Sequence, residues 1–84
     1  MKIREAQNFS DMIIDALFDE AQKNGISSYK IAKMCEISEA SLSYIKHHKT
    51  RPTIYTVKLI ADAIGVNLSD CVKMAEINSN KKNK

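Results

Sequence analysis

Turn-forming residues are scarce in this chain of 84 residues, which has one Pro and two Gly. That leaves few places for the tight turns that strands need, and an all-helical fold follows. Cysteine is equally sparse. Cys35 and Cys71 lie in helical patterns, and two isolated cysteines make a poor disulfide framework, so both are expected to be reduced core thiols. No apolar run reaches the about 18 residues that a membrane-spanning helix needs, which excludes a membrane role. At the amino end Ile3 is followed at once by Arg4 and Glu5, which breaks the apolar centre of a secretory signal, so a cytoplasmic location is expected. Catalytic groupings are missing too: there is no Gly-rich phosphate loop, no nucleophile beside a base, and no carboxylate pair in an apolar setting. No enzymatic activity and no cofactor is expected. The adjacent His47 and His48 diverge and have no third ligand at suitable spacing, so no metal is expected either.

What is present suits one small domain. A chain of this length buries only about 60 to 65% of its unfolded surface, so stability should be modest and dimerisation would help. The composition, 44% hydrophobic, is enough for a single core. Residues 1–77 carry the helical patterns, while 78–84 are polar and basic and are expected to form a disordered tail. The net charge of +3 is unevenly spread. Residues 1–24 carry three basic and five acidic side chains, whereas residues 25–58 carry six basic and two acidic. Positive charge is therefore concentrated in the middle of the chain, the footprint of a phosphate-facing surface.

That middle holds the most informative stretch, ISSYKIAKMCEISEASLSYIKHH from Ile26 to His48. Ser27 can cap a helix, with Ile26 and Ile31 as its hydrophobic staple; Ser38 repeats the device with Ile37 and Leu42. The spacing of the two starts leaves room for about two helical turns and a corner of three to four residues. Before it, Phe9–Ser10 reads as a start for a first helix through Ile14, Leu17, Phe18 and Ala21 to Asn24–Gly25, with Met1 to Gln7 either a frayed arm or an extra helical turn. Asp11, Asp15 and Asp19 line another face of that helix, an acidic stripe that cannot face DNA. It reads as a solvated surface or, failing that, a docking site for a basic protein partner. After it, Thr53 starts a fourth helix that Gly65 ends, and Asn67 with Asp70 resembles a capping box for a fifth.

These residues resemble the Cro/XRE family of helix-turn-helix repressors, the lambda-repressor-like group, from about Gly25 to Val72. The points of resemblance are Ile31-Ala32, Ile37-Ser38, Leu42 and Ile45, Pro52 after a basic loop, then Ile60-Ala61 and Ile64-Gly65-Val66. The resemblance implies a five-helix domain with a central helix-turn-helix and double-stranded DNA as partner. Two departures stand out. Glu36 occupies the turn position where the family usually has Gly, often a left-handed residue. Lys46 and Ala21 stand where the family often pairs a Glu with an Arg, so both partners of that ion pair are missing together.

On this reading the third helix, Glu39 to about His47, enters the major groove. Leu42 and Ile45 form its inner side, so Ala40, Ser43, Tyr44 and His47 point outward at 100° per residue. Glu39 suits a cytosine amino group, Ala40 a thymine methyl, and Ser41, Ser43 and Tyr44 bases or phosphates. The face lacks the Gln, Asn or Arg of the commonest bidentate base contacts, which argues against strong discrimination. Lys49, Thr50 and Arg51 are the leading phosphate contacts, supported by Lys46, His47 and, at the start of the second helix, Ser28. The histidines are expected to face solvent and gain charge on acidification. Leu59, Leu68, Val72 and Met74 are candidates for a homodimer contact, since related repressors pair through this end of the chain. The expected function is a dimeric regulator, most simply a repressor, on a palindromic operator. Two alternatives stand beside it: the DNA-binding antitoxin of a toxin–antitoxin pair, and a protein-interaction module that has lost DNA binding.

Overall fold

The computed structural model describes the backbone of residues 3–82 and the side chains of residues 3–77. In chain order the described residues form α1 (Ile3–Lys23), α2 (Ser28–Cys35), α3 (Glu39–Lys46), α4 (Ile54–Ile64) and α5 (Leu68–Lys82), with no strand among them. Three starts are capped as the residue types dictate. Ser27 accepts from the Lys30 amide (3.2 Å), Ser38 from that of Ser41 (3.0 Å) and Thr53 from that of Thr56 (3.3 Å). An apolar stripe on each helix then turns inward, and Leu17, Ile31, Leu42 and Ile60, one from each of the first four helices, form the fully buried centre. Among the described residues no polar side chain is buried there. Cys35 and Cys71 belong to this core as free thiols, and burial pushes both above the ordinary thiol range, so they stay protonated.

Two boundaries and one cap differ from the sequence reading. The first helix does not begin at Ser10 but runs from Ile3, because Ala6, Phe9 and Ile13 carry its apolar stripe further towards the amino end. These three line a groove with Ile54, Leu68 and Val72, so packing against α4 and α5 outweighs the local capping preference of Ser10. At the other end α5 continues through Lys82, past the boundary drawn from composition after Ile77; a helix already held by Leu68, Cys71 and Ala75 propagates at little cost. Residues 83 and 84 of the expected tail lie outside the described residues. The capping box of Asn67 and Asp70 does not form among the described hydrogen bonds. Instead the Asn67 carbonyl takes the amides of Asp70 (3.1 Å) and Cys71 (3.4 Å).

Four helices end in the same way. A residue with left-handed backbone follows the last turn, and the amide after it reaches back to close the helix: Ile26 to Ala21, Ile37 to Ala32, Lys49 to Tyr44 and Val66 to Ala61, at 2.8–3.1 Å. Two of the left-handed residues are Gly25 and Gly65, but the other two are Glu36 (φ 57) and His48 (φ 62). A side chain in this conformation costs about 1–2 kcal/mol, and glycine's extra freedom in the unfolded chain offsets roughly half of that. Glu36→Gly is therefore expected to stabilise the fold by about 0.5–1 kcal/mol, raising the melting temperature by about 4 °C in a thermal unfolding scan. A lower melting temperature would show that the Glu36 side chain has a stabilising partner outweighing its strain.

Candidate nucleic-acid interface

The left-handed turn at Glu36 sets α3 across the end of α2 and leaves α3 anchored on one side only. Leu42 (1% exposed) and Ile45 (7%) hold it to the core. The residues expected to read bases, Glu39, Ala40, Ser41, Ser43 and Tyr44, are all exposed. Their chemistry is narrower than their names suggest. The Ser41 hydroxyl oxygen already accepts from Ser38 (2.9 Å), which leaves it its proton and one lone pair to offer. His47 places Nδ1 2.9 Å from the Ser43 carbonyl, which can only accept, so that nitrogen carries the proton. A neutral His47 then has only an acceptor at Nε2, and it can donate to a phosphate only when doubly protonated.

Ser28, Glu39, Leu42, Ser43, Lys46 and His47 line a single groove, so the start of α2 and the flank of α3 face the same space. Ser28 is exposed there, at a helix start whose first amides have no partner within the helix. Lys46 lines the groove with its Nζ 5.8 Å from the centre of the Phe18 ring, a cation–π contact. Ala21, the other half of the family's missing ion pair, is buried. Beyond α3 the segment Lys49–Thr50–Arg51 is exposed.

One expectation is corrected here. The acidic stripe of α1 is not a bare solvated face, and His48 does not simply face solvent. His48 sits between two of the stripe's carboxylates, with Nδ1 3.2 Å from Asp11 and Nε2 3.0 Å from Asp15. Arg51 joins them, its Nη2 3.7 Å from the second oxygen of Asp11. Arg51 is thus held by one edge while its side chain stays 44% exposed. Asp19, the remaining member of the stripe, is exposed. The Asp11–Asp15 spacing was visible in the sequence as an i, i+4 pair, but its partners lie far along the chain, where periodicity carries no signal.

A family model described as helix-turn-helix matches residues 19–71, well over half of the chain. The chain belongs to the Cro-type (XRE) helix-turn-helix family. No curated protein and no solved structure matches it. The family is one of DNA-binding regulators, and the described helices reproduce its lambda-repressor-like arrangement. Glu36 takes the left-handed conformation at the turn where members usually have Gly. The match begins at Asp19 and ends at Cys71, so most of α1 and most of α5 lie outside the part that defines the family. No helix among the described residues is long and apolar enough to cross a membrane.

The four residues considered for self-association are placed unevenly. Leu59 and Leu68 are half-buried against the core, Val72 lines the groove between α1 and α5, and Met74 is 48% exposed. Ile77, one helical turn beyond Met74, is 49% exposed and extends the same apolar edge of α5.

Proposed function

We propose that this chain is a transcriptional repressor that binds a palindromic operator as a homodimer. In that complex α3 lies in the major groove and reads base edges through Glu39, Ala40, Ser43 and Tyr44. Ser28, Lys46, His47, Lys49, Thr50 and Arg51 contact phosphates on either side. The observation that carries the reading is the one-sided anchoring of α3: its buried side is wholly apolar and its outer side, small and polar with one aromatic, is open beside a basic corner. A helix with that profile fits a groove about 12 Å wide, and small outward side chains let its backbone approach the bases. Self-association uses the apolar edge of α5 at Met74 and Ile77 together with the outer parts of Leu68 and Val72, and helix-turn-helix dimers read half-sites about one helical turn of DNA apart.

Selection of bound sites from a random duplex pool tests this directly. The expected product is an enriched inverted repeat whose half-sites are centred about 10 base pairs apart. Within it, Ser43→Ala and Tyr44→Ala should change which bases are preferred by about 1–3 kcal/mol at the positions they touch, with little effect on unrelated sequences. Enrichment of a site without symmetry would remove the dimer, and no enrichment at all would remove the sequence-reading role of α3.

A further inference from the structure

Three of the four helix ends are fastened by an apolar residue. Where α1, α2 and α4 stop, the residue after the left-handed one is Ile26, Ile37 or Val66, and each packs against the core. Where α3 stops, that place is taken by Lys49, which is exposed. The fastening there is ionic instead. His48, itself left-handed, turns its ring towards α1 and meets Asp11 at one nitrogen and Asp15 at the other. An ionised carboxylate only accepts, so the Nε2 contact is a hydrogen bond that the ring donates to Asp15, while the Nδ1 contact with Asp11 is an ion pair of the protonated ring. Arg51 shares Asp11 at 3.7 Å, beyond hydrogen-bonding distance, so its donors remain available to an outside anion.

We propose that Asp11 and Asp15 are positioning residues of the DNA-binding surface. From α1 they hold the corner that follows α3, using His48 as the anchor and presenting Arg51 at a fixed place to a phosphate. The inference rests on the reading of residues 46–51 as a phosphate grip, and it goes against simple charge counting. Two carboxylates beside a cation should weaken DNA binding by repulsion, so removing them should tighten it. If they position Arg51, removing them loosens the grip instead.

Affinity for one fixed duplex, measured across a range of salt, separates the two accounts. The slope of log affinity against log salt counts phosphate contacts at about 0.9 each. The double variant Asp11→Asn, Asp15→Asn is expected to lower the slope by about 0.9 and to weaken binding about fivefold near 0.15 M salt, the loss of one contact. Asp11→Glu, which keeps the charge, should stay near the parent. Tighter binding, or an unchanged slope, overturns the inference. A variant that is merely less stable lowers the competent fraction without changing the slope, so poor folding cannot imitate the expected result. Lys49→Ala, at a residue that these carboxylates do not touch, checks the underlying reading. If it lowers slope and affinity while the double Asn variant lowers neither, only the inference fails; if neither variant lowers them, the phosphate grip fails and takes the inference with it.

Discussion

Replacing Ile60 with alanine is expected to cost about 3 kcal/mol of stability, read as a fall in the midpoint of urea unfolding. Ile60 is 0% exposed and lies in α4, the helix packed against α1, α2 and α5. Its removal leaves a cavity in the core that α4 shares with its neighbours, and a closely packed interior closes only partly around such a void. A domain of this size has only about 5–8 kcal/mol in total, so the variant should lose a large share of its stability and fold incompletely at growth temperature. A loss under about 1 kcal/mol would mean that the helices rearrange freely around α4, and that Ile60 does not sit at a rigid centre.

The second large effect concerns binding. Lys49→Ala combined with Arg51→Ala is expected to weaken affinity about thirtyfold near 0.15 M salt and to lower the salt slope by about 1.8, the contribution of two phosphates. The loss should be the same on the preferred duplex and on unrelated DNA, because phosphates carry no sequence information. Both side chains are exposed and neither belongs to the core, so the melting temperature should move little. A loss confined to one sequence would turn these residues into base readers, and no loss would remove the basic corner from the interface.

Much of this architecture could be read from the sequence because it is built from local signals. Ser27, Ser38 and Thr53 are caps that act within one turn of their own position, and the apolar stripes they introduce recur at helical spacing. Ile26, Ile37 and Val66 mark corners because each lies between a helix end and the next start. The family points, Ile31-Ala32 through Ile64-Gly65-Val66, fall within these same helices. What escaped depended on contacts between distant parts of the chain. Ser10 carries the same local signal as Ser27, yet α5 and the start of α4 cover the face around it and keep the helix going. His48 closes α3 as a glycine would, but nothing in its identity announces that. The role of Asp11 is invisible until the corner after α3 folds back on it. In the candidate site, therefore, the exposed face of α3 was legible as a pattern, whereas the support beneath its far end was not.

The way α3 is fastened has a consequence for how such a protein changes over generations. Leu42 and Ile45 bear its attachment, and Ala40, Ser43 and Tyr44 lie outside the buried core. Recognition and foldedness are thus written in separate alphabets on one short rod. A duplicated copy can exchange its outward letters for new ones and acquire a different target without first becoming a weaker fold.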